Sequence, residues 1–237
     1  EQAQVLEEAG NFDQAIENYR KAAVGYGDYL ARYPHDKQLY ELTFYLADTL
    51  FYSLDFERAA VEFTAVREMR PDGEFRVDAA SNIVFAYEQI LKAAIANGEI
   101  EELSIKTSSE RQEGVEVVAL EIPPLHKQYI DAIDILADIN PQEENLPNFF
   151  YTTAQTYQGF DHLDEALKRF HHVLETYPQS AETASYSVES LVDLYQTKRD
   201  YRTVAEFTKK IMDDPNFSEN KELLTSLQEY RTGAQFL

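Results

Sequence analysis

The chain has 237 residues and a net charge of −22, from 43 acidic against 21 basic residues, and it contains no cysteine. This negative charge excludes the basic footprint that a nucleic-acid-binding protein needs, and the lack of cysteine excludes disulfides and thiolate metal sites. No apolar run approaches the roughly 20 residues that span a bilayer. We therefore expect neither a nucleic-acid partner nor direct membrane insertion.

The first predicted element begins at a turn. The run Gly10-Asn-Phe-Asp-Gln-Ala15, followed by Tyr19 and Ala22, predicts a turn and a helix that continues to Pro34. Residues 1–9 are long enough only for the final turns of a preceding helix. The first helical hairpin is therefore predicted over about 1–34.

Two stretches further along the chain resemble each other, residues 46–63 and 153–170. Their aligned positions hold small residues (Ala47 and Ala154, Ala59 and Ala166) and bulky ones (Leu50 and Tyr157, Phe56 and Leu163, Phe63 and Phe170). Pro71 and Pro178 follow at the same offset. Small residues allow two helices to pack closely, and a proline ends the second helix because it disfavours the α region at the residue before it. Each stretch therefore predicts one helical hairpin.

The middle repeat is interrupted. Residues 76–97 and 125–140 are predicted as two paired helices, while residues 98–124 break the helical period. Within that interruption, two runs are apolar or alternate between apolar and polar residues, and a polar stretch separates them. These runs are Leu103-Ser-Ile-Lys and Val115-Glu-Val-Val-Ala-Leu-Glu-Ile122. Such alternation predicts a small β-hairpin near 100–122.

The C-terminal part continues the pattern. Residues 185–217 repeat it through Leu191, Tyr195 and Tyr201, although a valine stands at the second small position. Residues 218–237 are predicted as a terminal helix that ends on the apolar residues Ala234, Phe236 and Leu237. A capping helix is expected to present a polar outer face. We therefore expect the chain to be a fragment of a longer array that can self-associate through exposed repeat ends.

These residues resemble the tetratricopeptide repeat (TPR), a helix-turn-helix unit. The resemblance implies an all-α solenoid of TPR hairpins that forms a right-handed superhelix; a plain helical bundle is the alternative. The implied repeats are about 1–34, 39–72, 76–141 with the insertion 98–124, 147–180 and 185–217, followed by the terminal helix 218–237.

No pattern in the chain points to catalysis. The five histidines include no pair with metalloprotease spacing, and neither a phosphate loop nor a dinucleotide fingerprint is present. His171 and His172 are adjacent on a predicted helix, hence about 100° apart, and are poorly placed to share one ion. We therefore predict no enzyme, no catalytic residue, no metal site and no cofactor.

The resemblance implies a concave groove lined by the first helix of each repeat. Its side chains would be Glu41, Phe44, Asp48, Phe51, Phe85, Glu88, Tyr151, Gln155, Gln158, Glu189 and Asp193. The lysine–asparagine clamp by which some family members hold a peptide carboxylate is missing, since Phe44 with Asp48 and Tyr151 with Gln155 stand there. An acidic, aromatic groove favours a protein or peptide segment with basic and apolar side chains. The alternative is a groove that is solvated or filled by the N-terminal helix.

Some short runs are similar to TPR proteins of the bacterial cell envelope. Tyr33-Pro34, Tyr177-Pro178 and Leu46-Ala-Asp-Thr-Leu resemble relatives of the barrel-assembly lipoprotein. Ile122-Pro-Pro-Leu is weakly similar to multi-repeat proteins of gliding and predatory bacteria. These resemblances imply a periplasmic adaptor in envelope assembly or a motility machine. A cytoplasmic location, and a regulatory or spacer module of a larger protein with its catalytic part elsewhere, remain open.

Overall fold

The computed structural model describes residues 2–112 and 114–234, except for the side chain of Ala234. Every regular element in this part of the chain is helical, which confirms the all-α prediction. The α-helices are α1 (Gln2–Glu8), α2 (Phe12–Arg32), α3 (Leu39–Tyr52), α4 (Phe56–Met69), α5 (Arg76–Ala96), α6 (Pro124–Ile139), α7 (Leu146–Gly159), α8 (Leu163–Thr176), α9 (Ala181–Thr197), α10 (Tyr201–Met212) and α11 (Lys221–Ala234). A short 3-10 turn, Pro215–Phe217, precedes α11.

The helices form two compact units. The first consists of Glu1–Glu101 with Pro124–Gln142, and the second of Glu102–Pro123 with Glu143–Leu237. Within each unit, helices pack mainly on their neighbours in the sequence, and in the second unit α9 also contacts α7 and α11. Contact mainly with sequence neighbours is typical of repeat proteins, in which each hairpin buries its apolar face against the next.

The small residues predicted from the repeats lie at the helix contacts. Ala47 and Ala59 are fully buried between α3 and α4, and Ala154 and Ala166 between α7 and α8. Phe63 and Phe170, the largest fully buried side chains, occupy matching positions in α4 and α8. Alanine permits close approach of the helices, and the phenylalanine fills the space that remains beside it.

One turn recurs between the two helices of a hairpin. A residue with positive φ ends the first helix at Gly10, Leu54, Gly98, Asp161 and Arg199. The next N–H then bonds to the carbonyl five residues earlier, in the pairs Asn11–Leu6, Asp55–Leu50, Glu99–Ala94, His162–Tyr157 and Asp200–Tyr195, at 2.8–3.0 Å. This is the Schellman arrangement, which satisfies carbonyls left free at a helix end.

Leu54 is one of the turn residues that are not glycine; its backbone is strained at a φ of 66°, and its side chain is 57% exposed. Leu54→Gly is expected to raise the free energy of unfolding by about 0.5–1 kcal/mol, since glycine adopts this φ without a Cβ clash. Urea denaturation would measure the gain. Leu54→Ala keeps the strained φ and serves as the control; an equal gain in Leu54→Ala would contradict the explanation.

The predicted β-hairpin is wrong: the described part of residues 100–122 contains no strand. We call residues 102–123 the strap. Its second apolar stretch bonds at Leu120 to the turn between α7 and α8, and its first places the Leu103 side chain against Gly159. The Leu120 N–H donates to the Phe160 carbonyl at 2.9 Å, and the Leu120 carbonyl lies 2.7 Å from His162 Nε2. Because the helical turn supplies these partners, the extended backbone needs no second strand.

The strap interrupts a hairpin without disrupting it. The recurring turn is complete at Gly98 and Glu99, yet the second helix of this hairpin starts only at Pro124. Helices α5 and α6 still pack on each other. Pro124 suits the first helical position, where no N–H is needed. The apolar side chains at 234–237, on which self-association was predicted, lie outside the described residues.

Candidate protein-binding surface

An acidic and aromatic cluster lies in the first unit. Glu7 of α1, Tyr19 of α2, and Asp48, Phe51 and Tyr52 of α3 form it, and we call these five residues the acidic–aromatic face. The Tyr19 and Tyr52 rings stack with centroids 5.1 Å apart, and the Tyr19 hydroxyl donates to Glu7 Oε2 at 3.0 Å. The side chains of three helices are thereby held together at one place.

Asp48 is the electrostatic centre of this face. Its side chain is half-buried, and within the described chain no group donates a hydrogen bond to its carboxylate and no cation pairs with it. Burial raises the pKa of Asp48 to about 6. Burial, followed by the bond to Glu7, also raises the pKa of Tyr19 to about 12, with a smaller contribution from Asp48. The face therefore holds a partly desolvated negative charge without a counter-ion.

An apolar cavity of about 250 Å³ adjoins the two tyrosines. It is lined by Glu7, Phe12, Ala15, Ile16, Tyr19, Phe51, Tyr52, Leu54, Phe56 and Gln89. Two of these, Phe12 and Leu54, are large side chains that are 61% and 57% exposed. An apolar recess beside charged groups suits a side chain with an apolar body and a polar tip.

The other predicted groove residues of the first unit take part in local contacts. Phe44 stacks on Phe75 at 4.3 Å and meets the buried Phe63 edge-on, so it belongs to the packing. Glu41 accepts a hydrogen bond from Tyr45 at 2.9 Å, and Glu88 pairs with Lys92 at 2.8 Å. Phe85 is half-buried on α5. Of the six predicted residues here, Asp48 and Phe51 lie in the acidic–aromatic face.

In the second unit, four predicted residues do line one cleft. Gln155, Gln158, Glu189 and Asp193 border a cleft of about 450 Å³, together with Thr107, Ser108 and Ser109 of the strap. Gln158 is buried and donates to Asp193 Oδ2 at 3.4 Å. The fifth, Tyr151, contacts the Phe170 and Tyr186 rings and accepts from Gln155 at 3.2 Å. The cleft is thus walled partly by the chain's own inserted segment.

The described hairpins share matching alanines, phenylalanines and turns. They resemble the hairpins of tetratricopeptide repeats. Two solved structures illustrate the similarity: "MamA RS-1 ArsTM double mutant" (14% identity, 93% of each chain covered, TM-score 0.46) and the Podosopora anserina putative kinesin light chain with nearly identical TPR-like repeats (12% identity, 98% of this chain and 91% of that chain, TM-score 0.46). A crystal structure of a variant of the latter matches at 13% identity over 99% of this chain and 93% of that chain, with a TM-score of 0.46. No family model matches the chain. No curated protein shows significant similarity to it.

Two kinds of feature are absent from the described residues. No cluster of three or more histidine, aspartate or glutamate side chains there could hold a metal ion. No helix of the described chain is long and apolar enough to cross a bilayer.

Sequence reasoning missed several residues of these sites. The groove prediction takes the same positions of the first helix in every repeat and therefore omits Glu7, Tyr19 and Tyr52. The acidic–aromatic face also contains side chains of the preceding hairpin. Ser108 and Arg111 were overlooked because the strap was interpreted as a hairpin. Gly159, at the end of α7, could have signalled a close approach, since a Cβ there would overlap the Leu103 side chain.

Proposed function

We propose that the chain is a non-catalytic scaffold whose acidic–aromatic face binds a cationic segment of a partner protein. The observation that carries this proposal is Asp48, a half-buried carboxylate with no counter-ion in the described chain. A partly desolvated charge without a partner is costly to the fold, and a lysine or arginine from another protein would offset that cost.

The surroundings of Asp48 suit an arginine or lysine that carries apolar neighbours. The Tyr52 ring, which is 42% exposed and stacks on the buried Tyr19 ring, offers aromatic surface for a cation, and the adjoining cavity receives an apolar side chain. The net charge of −22 favours the approach of a basic segment over long distances. Charge sets the rate of encounter, while the half-buried Asp48 and the cavity set the lifetime of the complex.

We further propose that the scaffold works in the bacterial cell envelope, in envelope assembly or a motility machine. The support is the similarity of Tyr33-Pro34, Tyr177-Pro178 and Leu46-Ala-Asp-Thr-Leu to envelope TPR proteins. Fractionation of the native cells, with detection of the chain by antibody, would test this setting. Recovery only with the cytoplasmic fraction would contradict it.

Binding of the cationic segment can be tested with two matched peptides. One contains two arginines beside leucine and phenylalanine; the other has citrulline, a neutral analogue, in place of each arginine. We expect the arginine peptide to bind the chain at least about tenfold more tightly, because its guanidinium pairs with a partly desolvated carboxylate. Fluorescence anisotropy with labelled peptides would measure both dissociation constants.

The matched variants are Asp48→Asn and Asp72→Asn, which change net charge equally. Asp72 is exposed in the loop between α4 and α5. Asp48→Asn is expected to abolish the preference for arginine, whereas Asp72→Asn retains it, since exposed charges contribute little. If both variants lost the same affinity, binding would reflect general charge, and the proposed face would be incorrect.

A further inference from the structure

The strap contacts the second unit at three separate points, and one of them, Asp193, is a predicted groove residue. At the first, the Leu103 side chain lies against Gly159 at the end of α7, where a Cβ would overlap it. At the second, the Ser108 N–H donates to Asp193 Oδ1 at 2.7 Å. At the third, Arg111 Nη2 donates to Asp161 Oδ1 at 2.6 Å.

The part of the strap that reaches Asp193 is a preformed turn. Both the N–H and the hydroxyl of Thr107 donate to Glu110 Oε2, at 2.8 and 2.7 Å. Arg111 Nε donates to the Lys106 carbonyl at 3.2 Å. These internal bonds fix the turn, so that the Ser108 N–H is directed away from it and towards Asp193. A preformed turn loses little conformational freedom on binding.

The receiving side chains are also positioned in advance. Buried Gln158 donates to the second oxygen of Asp193, while the Gln196 amide oxygen accepts from the Ser108 hydroxyl at 3.3 Å. Asp161 stands at the left-handed turn between α7 and α8, with φ of 61°. The Arg111 and Asp161 side chains are only 14% and 19% exposed, so their ion pair is partly desolvated. The Coulomb attraction within a partly desolvated ion pair is larger than within an exposed one, because water screens it less.

We infer that residues 102–112 are an intramolecular ligand of the second unit, bound to α9 and to the turn after α7, where they form one wall of the cleft. We further infer that this binding site takes external protein segments of the same chemistry once the strap is released. The external segment carries an aliphatic residue, then a small hydroxyl residue in a turn, then an arginine, at the spacing of Leu103, Ser108 and Arg111. This inference shares one assumption with the proposed function, namely that helical surfaces of this chain bind protein segments. It concerns a different unit from Asp48.

The contacts explain this choice of partner. Asp193 accepts from a main-chain N–H, which any residue except proline supplies, so this contact fixes the path of the segment and not its sequence. Sequence selection comes from the two ends, where Gly159 leaves room for an aliphatic side chain and Asp161 selects a guanidinium. Because the strap is tethered, its effective concentration is high, and an external segment binds well only when the strap is released.

The test uses a fluorescent peptide with the sequence of residues 102–112, added to chains with and without a weakened strap. The double variant Leu103→Ala with Arg111→Ala weakens the strap and leaves its binding site intact. We expect the peptide to bind this variant at least about tenfold more tightly than the wild type, because release of a bound competitor restores the full intrinsic affinity. Lys106→Ala removes the same charge from an exposed side chain and is expected to behave as the wild type.

Two additions complete the test. Asp161→Ala in the double variant is expected to remove the gain, and Asp48→Asn is expected to leave peptide binding unchanged, which separates this inference from the proposed function. Equal binding to the wild type and the double variant, or binding that survives Asp161→Ala, would overturn the inference.

A measurement on the wild-type chain covers the case in which the double variant does not fold. Because the Ser108 N–H is bonded to Asp193, its hydrogen exchange measured by NMR is expected to be at least about tenfold slower than in the free peptide. Exchange at the rate of the free peptide would overturn the proposed binding of the strap to Asp193.

Discussion

Replacing Phe170 by alanine is expected to lower the free energy of unfolding of the second unit by about 3–5 kcal/mol, the range found when large aromatic side chains are removed from cores. The Phe170 side chain is fully buried in a cluster that includes Ala154, Ala166 and Val188. Because those neighbours belong to three different helices, they cannot all move in to fill the space. Urea denaturation followed by circular dichroism would measure the loss.

Tyr186→Ala provides the matched control in the same unit. The Tyr186 side chain is 48% exposed, although its ring meets that of Tyr151 at 6.1 Å. Its removal is expected to cost less than about 1 kcal/mol, as for other substitutions outside the core. Equal losses for the two variants would mean that Phe170 is not at the centre of the packing described here.

Asp48→Asn is expected to raise the free energy of unfolding by about 1–2 kcal/mol at pH 7.5. This is less than the whole change in the Asp48 pKa would give, because the side chain is only half-buried and solvent screens its charge. The folded-state pKa of about 6 lies above the ordinary value of 3.8, so the folded chain binds a proton more readily than the unfolded chain. Wild-type stability therefore falls as pH rises from about 4 to about 6, and the full loss persists above that range. Asparagine carries no charge and avoids this loss.

At pH 4 the wild type and Asp48→Asn should have nearly the same free energy of unfolding, because Asp48 is then protonated in the folded chain. Thermal or urea denaturation at pH 4 and pH 7.5 would give the comparison, with Asp72→Asn as the control at both values. A gain of equal size at both pH values would show that the carboxylate charge is not its cause. Together with the peptide experiment, a stabilised variant that no longer binds arginine would indicate that Asp48 serves binding at the expense of the fold.

The helical repeat could be predicted from the sequence because its signals are local and repeated. Ala47 with Ala59, and Ala154 with Ala166, mark the contact between the helices of one hairpin, and each pair lies within a single short stretch. The following proline marks the end of the second helix. A pattern that occurs twice in matching order indicates a repeated structural unit, because composition alone does not fix the order of residues.

The strap and the acidic–aromatic face could not be predicted in the same way. Alternating apolar residues such as Val115 and Val117 are typical of a strand, but they describe equally an extended segment whose hydrogen-bonding partner is remote. That partner, the turn at Phe160–His162, lies about forty residues from Leu120 in the sequence. Similarly, Tyr19 reaches Tyr52 only through packing of α2 on α3, which no repeat position encodes.

Each of the two units is made of two separate stretches of the chain, which limits how the chain can be cut into single units. The backbone leaves the first unit after Glu101, contributes the strap to the second, and returns to the first at Pro124 before leaving again after Gln142. A single protease cut or stop codon therefore cannot yield both units intact. A piece that starts at residue 143 would contain α7 to α11 without the strap, so Asp193 would lose the Ser108 N–H and Asp161 would lose the Arg111 guanidinium. Such a piece would be the natural bait for segments that compete with the strap.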